Sequence, residues 1–149
     1  MANLSCIILF NDSNKVYYMN QGVDPGNVTL WFTSTDDGNN LWCTDIASYN
    51  VTNGPTYIWL YNSQKNALFE YTATTTSVAP TYIRKISGLP SSAYMNGLGV
   101  VDETTLIAGS DSNDILEIDI TTNTAVSTTK FGMLNPWKSS NKLYVDGDM

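Results

Sequence analysis

Carboxylates are the side chains best suited to acid–base chemistry in this sequence. They form four clusters: Asp36-Asp37, Asp102-Glu103, Asp111 with Asp114, and Glu117 with Asp119. Glu117 and Asp119 are two apart on a predicted strand, so their side chains share one face. A glycosidase needs two carboxyl groups about 5–10 Å apart across a cleft. Spacing along a single strand is also typical of its solvent-facing side, so no catalytic residue is assigned.

The sequence contains no histidine, and this restricts its chemistry. Histidine is the commonest general base and the commonest metal ligand in proteins. A serine or cysteine nucleophile would therefore lack its usual base, and no Ser-x-x-Lys motif occurs with the partners that such enzymes need. We expect a non-enzymatic protein without a cofactor.

One turn offers ligands for a hard cation. Asp111, Asn113 and Asp114 supply carboxylate and amide oxygens in a tight segment, which calcium prefers. The spacing is not that of an EF-hand, and the equivalent turn of an internal repeat carries Lys65. The three residues are a candidate metal site, and a simple polar turn is the competing interpretation.

Two cysteines cannot build a zinc site here. Cys6 and Cys43 leave a tetrahedral ligand set incomplete without histidine. Their spacing does not decide whether they pair. We expect both to be small buried residues in strands.

Aromatic residues are abundant, at 11% of the chain. Their rings combine an apolar face with a polar edge and could stack on sugars, although packing between sheets is the competing role. The rings that could serve are Trp31, Trp42, Trp59, Trp137, Tyr49, Tyr82 and Tyr94. We single out Tyr49, Trp59, Tyr94 and Trp137 as candidate ligand-binding residues. Tyr49 falls in a polar stretch, Ser48–Pro55, and Trp137 lies between Pro136 and Lys138.

Length and charge narrow the class of protein. The chain has 149 residues, enough for one domain, and a formal charge of −7. That charge argues against nucleic acid and anionic membranes as partners, because both attract basic surfaces. Only 14% of residues are charged, and 18 threonines and 16 asparagines supply much of the polarity. This composition resembles that of virion and phage surface proteins.

No targeting segment is predicted. The apolar run Cys6–Phe10 is shorter than the core of a signal peptide and has no basic region before it. No segment approaches the roughly 20 apolar residues of a membrane span. The sequence leaves the location undecided, with a virion and the cytoplasm as the two candidates.

Twelve short runs rich in β-branched and aromatic residues alternate with Asn, Asp, Gly, Ser and Pro clusters, which favour turns. This spacing predicts an all-β fold. The predicted strands are 6–10, 16–20, 28–34, 41–46, 56–61, 67–72, 81–86, 97–101, 105–109, 114–120, 125–130 and 142–146.

An internal repeat organises these strands. Residues 59–71 align with residues 106–118 at an offset of 47 without a gap, and Ser63, Asn66 and Glu70 recur as identical residues. A weaker copy lies near the N-terminus, and a further copy starts at Leu143. A period of about 40–50 residues with four strands matches the blade of a β-propeller.

The segment Asn96–Thr129 resembles one blade of the NHL, SMP-30 and YVTN-type β-propellers. It carries their pattern in Asn96–Asp102, Thr105–Ser110 and Asp114–Asp119, and Leu41–Ile86 matches it less closely. The pattern specifies a blade and not one family. The metal ligands of SMP-30-like hydrolases do not map onto this chain, so their activity is not carried over.

The repeat divides the single domain into a partial blade at 1–40, blades at 41–90 and 91–132, and a partial blade at 133–149. About three blades are fewer than the four that a propeller needs, so exposed edges would invite another chain. The expected function is a non-enzymatic binding or structural module that assembles with copies of itself or with another protein. Alternatives are a carbohydrate-binding propeller lectin and an SMP-30-like or glycosidase-type hydrolase. A fragment of a longer propeller and an open sandwich also remain compatible.

Overall fold

Short apolar and β-branched runs between turn residues fold into strands throughout the described chain. The computed structural model describes residues 7–9, 14–19, 28–90, 95–110 and 114–132. The prediction of an all-β fold with antiparallel sheets is confirmed for these residues. The same residues contain no helix long and apolar enough to cross a membrane.

Within the described residues, the strands form three main sheets and one small hairpin, and every sheet is ordered as in the sequence. Sheet 1 contains β1 (Ile7–Leu9), β2 (Lys15–Met19) and β3 (Val28–Thr33). The hairpin contains β4 (Thr35–Asp36) and β5 (Asn39–Asn40). Sheet 2 contains β6 (Asp45–Asn50), β7 (Thr56–Asn62), β8 (Ala67–Ala73) and β9 (Thr81–Ile86). Sheet 3 contains β10 (Met95–Asp102), β11 (Thr105–Ser110), β12 (Asp114–Asp119) and β13 (Val126–Gly132).

Sheet 2 lies between the other two sheets. Its face with Trp59, Tyr61 and Leu68 packs on Leu106 and Ile118 of sheet 3. Its opposite face packs on sheet 1 and on the segment that follows it, in a second core cluster. That cluster includes Val16, Phe32, Leu41, Ile58, Leu60 and Phe69. The sequence of sheet 2 reflects this position, because β7 and β8 are almost continuously apolar and buried.

Sheets 2 and 3 are held together at both sides. Their first strands, β6 and β10, make the most extensive close backbone approach between different sheets. On the other side, Ser87 and Thr124 form a parallel bridge, and Ala125 N–H donates to Ser87 O at 2.7 Å. Gly88 permits this contact: its φ is +83°, and a Cβ there would lie 2.8 Å from Thr124 Cγ2.

One strand lies later in the chain than its prediction. The sequence favours 41–46, but β6 spans Asp45–Asn50, so the first three residues of the expected polar loop Ser48–Pro55 are strand. Leu41 and Cys43 are buried in a non-strand connector. The apolar pattern of 41–43 therefore marks burial and not strand pairing.

In the structure, the two copies of the internal repeat correspond at two different sequence offsets, which differ by one residue. Phe69 of β8 pairs with Leu60, and its counterpart Leu116 in β12 pairs with Ala108. The strands β8 and β12 thus keep the offset of 47, whereas β7 and β11 correspond at 48. The reason is turn length: β7 and β8 are separated by residues 63–66, but β11 and β12 only by residues 111–113. The gapless alignment is wrong for β7, since the structural counterpart of Trp59 is Ile107.

Candidate functional site

A cleft of about 430 Å³ opens between the β4–β5 hairpin and strands β8 and β9 of sheet 2. Its volume falls within the range of roughly 300–1,000 Å³ that is usual for small-molecule sites. The hairpin supplies Asp36 and Asp37, and sheet 2 supplies Tyr71 and Tyr82. Phe32 at the end of β3 completes the aromatic lining.

The sequence of the hairpin fixes its tight turn. Asp37 and Gly38 have φ angles of 51° and 77°, the left-handed conformation that two-residue hairpin turns require. Asp followed by Gly is a favoured pair for this turn, because aspartate tolerates positive φ and glycine adopts it freely. The turn therefore presents the two adjacent carboxylates to the cleft.

The base of the hairpin is fastened by a buried polar network. Ser34 is fully buried, and its Oγ donates to Asn14 O or Leu41 O, each at 3.0 Å. Asn14 Nδ2 donates to Asn40 Oδ1 at 2.7 Å. Buried polar groups that are satisfied in this way hold a defined geometry. The hairpin is thus attached to sheet 1 at its root.

Three aromatic rings meet at angles along the cleft. The ring centroid of Tyr71 lies 5.1 Å from that of Phe32, and the two ring planes make an angle of 50°. The centroid of Tyr82 lies 5.5 Å from that of Tyr71, with an interplanar angle of 70°. Phe32 and Tyr71 are buried, whereas Tyr82 is 48% exposed. The cleft therefore has an aromatic floor and one ring accessible from solvent.

The loop between β8 and β9 forms the remaining wall, with Ala79 and Pro80 in the lining. Trp31 anchors this loop, since its Nε1 donates to Val78 O at 2.9 Å. Trp31 is buried, so this hydrogen bond also satisfies a donor that would otherwise be costly to bury. This contact joins sheet 1 to the loop between β8 and β9 of sheet 2.

The charge of the cleft is negative. The carboxylates among its described lining residues are Asp36 and Asp37, and Asp36 forms an ion pair with Lys65 of the β7–β8 turn. Burial raises the pKa of Tyr82, and the charges of Asp36 and Asp37 raise it further. Burial also raises the pKa of Tyr71, more strongly. The neutral phenols are thus favoured because the surroundings oppose an additional negative charge.

Two of the predicted ligand-binding residues lie away from this cleft. Trp59 is fully buried between sheets 2 and 3. Its ring stacks on that of Tyr57, with centroids 5.8 Å apart and an interplanar angle of 15°. Tyr49 lies on β6 and packs against the same cluster, half-buried. In the structure both rings contribute to packing between sheets.

The other predicted residues fall mostly outside the described chain. Tyr94, Trp137, Asp111 and Asn113 are among the residues that the structure does not describe. Asp114 begins β12, and its N–H donates to Ser110 Oγ at 3.3 Å. Over residues 7–9, 14–19, 28–90, 95–110 and 114–132, no group of three or more Cys, Asp or Glu side chains is placed to hold a metal ion.

Sequence reasoning did not join the residues of the cleft. The sequence shows Asp36-Asp37 as a carboxylate cluster and Tyr82 as one of the rings that could stack on a sugar, but 45 residues separate Asp37 from Tyr82. The usable pattern was Asp37-Gly38, which predicts a two-residue hairpin and thus a projecting acidic turn.

Comparison with known proteins identifies no relative. No protein-family model, curated protein or solved structure matches this chain.

Proposed function

We propose that this chain is a non-enzymatic assembly module whose stacked sheets are the blades of a propeller completed by a second copy. The observation that carries the proposal is the difference between the covered sheet 2 and the outer faces of sheets 1 and 3. Four-stranded meanders stacked face to face, with their first strands closest together, are consistent with blades around an axis.

Both ends of the stack present apolar side chains. In sheet 3, Val101 and Val126 are 50% and 61% exposed. Val126 pairs with Asp119, next to the inward-facing Ile118, so it points away from sheet 2. In sheet 1, Val28 and Leu30 are 41% and 47% exposed. Leu30 pairs with Tyr17, next to the inward-facing Val16, so it also points away from sheet 2. Exposed apolar faces at both ends suit association.

A second copy of the chain is the occupant that the repeat favours. The outer face of sheet 3 is equivalent to the face of sheet 2 that already packs on a sheet of this chain. Head-to-tail stacking would place sheet 1 of one copy on sheet 3 of the other. Two copies with three sheets each would give six blades, within the four to eight that propellers use.

The test is absolute mass by light scattering across a dilution series. We expect the wild type to exceed the 16.4 kDa of one chain and to dissociate on dilution. The double variant Val101→Lys/Val126→Lys should be monomeric at every concentration, because it places two charges on the proposed interface.

A matched control is Val78→Lys. Val78 is 64% exposed but lies in the β8–β9 loop, away from both end faces. It should assemble as the wild type does. A wild type that is monomeric at all concentrations, or a double variant that assembles normally, would refute the proposal.

A further inference from the structure

The cleft beside the β4–β5 hairpin has a lining that selects the charge of a ligand. Among the described residues that line the cleft, the carboxylate side chains are Asp36 and Asp37, and none is a lysine or an arginine. Lys65 neutralises part of the charge of Asp36 from outside the lining. Asp37 lies at the exposed tip of the turn. An anionic ligand would meet repulsion here.

The aromatic rings complement this charge. The faces of aromatic rings are electron-rich and attract cations within about 6 Å of the ring centroid. Phe32, Tyr71 and Tyr82 meet at 50° and 70°, so rings in different orientations border one space. Angled rings beside a carboxylate are the arrangement that recognises alkylated ammonium groups.

We propose that this cleft binds an organic cation, an alkylammonium group, between Tyr82 and Asp37. The proposal is independent of assembly, because the cleft lies within one chain and away from both end faces. A free small amine and the side chain of a lysine share this chemistry, and both are included in the test.

The first experiment is an NMR titration of the tyrosine-labelled chain with choline. The comparison ligand is the neutral isostere of choline, in which carbon replaces the quaternary nitrogen. We expect choline to shift the Tyr82 ring resonances and to bind at least about tenfold more tightly than the isostere. Acetyl-lysine methylamide, with its ε-amine free, is the second probe. Tighter binding of choline would indicate a small quaternary amine, and tighter binding of the lysine probe a protein side chain.

Variants separate the contributions of ring and charge. Tyr82→Leu should weaken choline binding about fivefold or more, whereas Tyr82→Phe should retain most of it because the ring remains. Asp37→Asn should weaken binding about fivefold, and added salt should weaken it further. Glu103→Gln makes the same charge change at an exposed site on sheet 3 and should have no effect.

The proposal fails under three results. Equal binding of choline and its neutral isostere would show that charge is not recognised. Displacement of bound choline by neutral hexoses would identify a sugar site instead. Tyr82→Leu with unchanged affinity and an unchanged circular dichroism spectrum would place any binding elsewhere.

Discussion

Sheets 2 and 3 are built from the same repeat but meet different surroundings. Leu68 and Ile115 occupy corresponding positions, as do Trp59 and Ile107 after the one-residue shift of β7. The sheet 2 residues are fully buried, and those of sheet 3 are half-buried. Environment, and not the repeat itself, therefore decides which side chains form the core.

The identical glutamates of the repeat show the same contrast. Glu70 is buried, and its Oε2 accepts a hydrogen bond from Arg84 Nε at 2.7 Å. Arg84 also donates from Nη2 to Ile120 O at 2.6 Å, so the pair joins sheet 2 to sheet 3. Glu117 is only half-buried and pairs across strands with Thr128. The two glutamates therefore differ in burial, because only Glu70 lies between two packed sheets.

The largest expected difference is between two aliphatic truncations. Leu68→Ala should lower the free energy of unfolding by about 2–5 kcal/mol, because it leaves a cavity between sheets 2 and 3. Ile115→Ala should cost about 1 kcal/mol or less in dilute protein. Urea denaturation of both variants measures the difference. Equal costs would mean that the outer face of sheet 3 is as covered as sheet 2.

The next largest effect concerns the buried ion pair. Arg84→Met should lower the free energy of unfolding by about 3 kcal/mol, because it leaves the Glu70 carboxylate buried without its partner. The double variant Glu70→Leu/Arg84→Met should recover part of this loss. Glu103→Gln, at an exposed site on sheet 3, is the control and should change stability by about 0.5 kcal/mol at most. A double variant worse than Arg84→Met alone would contradict this account of the pair.

Alkaline pH should weaken the contact between sheets 1 and 2. Burial raises the pKa of Cys43 from 9.0 to about 12 and raises that of Tyr71 from 10.0. Below pH 9 these groups are protonated in both the folded and unfolded states, so they do not make the free energy of unfolding depend on pH. Above it the unfolded state loses its protons first, and stability falls as pH rises toward the folded-state pKa values.

The measurement is urea denaturation between pH 8 and pH 11, within the window set by these pKa values. Cys43→Ala and Tyr71→Phe should each reduce the alkaline slope, whatever they do to stability at neutral pH. A slope unchanged in the double variant would show that other groups control alkaline unfolding.

The smallest effect is expected in the exposed turns of sheet 3. The Oδ1 atoms of Asp102 and Asp119 accept backbone hydrogen bonds from Thr104 and Thr121, each at 2.8 Å, and these bonds lower both pKa values below 3.8. Their stabilising contribution is present above pH 3.8 and is lost as pH falls through the lowered values. It should be small because both carboxyls are exposed.

An NMR pH titration of these carboxyls tests the expectation. Both should titrate below 3.8, and Asp119→Asn should leave the urea midpoint nearly unchanged. A carboxyl that titrates at or above 3.8 would mean that its turn is not formed in solution.

The segments that form most of the strands could be predicted, because local sequence favours strand or turn. The runs Thr56–Asn62 and Ala67–Ala73 are rich in β-branched and aromatic residues, and turn formers flank them. The position of β6 was not predictable from composition, since Leu41 and Cys43 are as apolar as a strand yet are buried in a connector. The register shift of β7 depends on a turn one residue longer, which a gapless alignment conceals.

The cleft depends on tertiary structure. Asp37-Gly38 predicts a hairpin, but only the stacking of sheets 1 and 2 brings it to Tyr71 and Tyr82. Similarly, Trp59 is a residue type that often stacks on ligands, but its burial between two sheets gives it a packing role. The faces of β7 could be assigned only after both neighbouring sheets were placed.

Hydroxyl-radical footprinting at two protein concentrations tests the central comparison most directly, because it measures side-chain accessibility. Trp59 and Leu68 should be protected at both concentrations. Leu30 of sheet 1 and Ile107 and Ile115 of sheet 3 should react in dilute protein and become protected in concentrated protein. Protection of Ile107 and Ile115 in the dilute monomer, or equal reactivity at both concentrations, would contradict an outer face that a second copy covers.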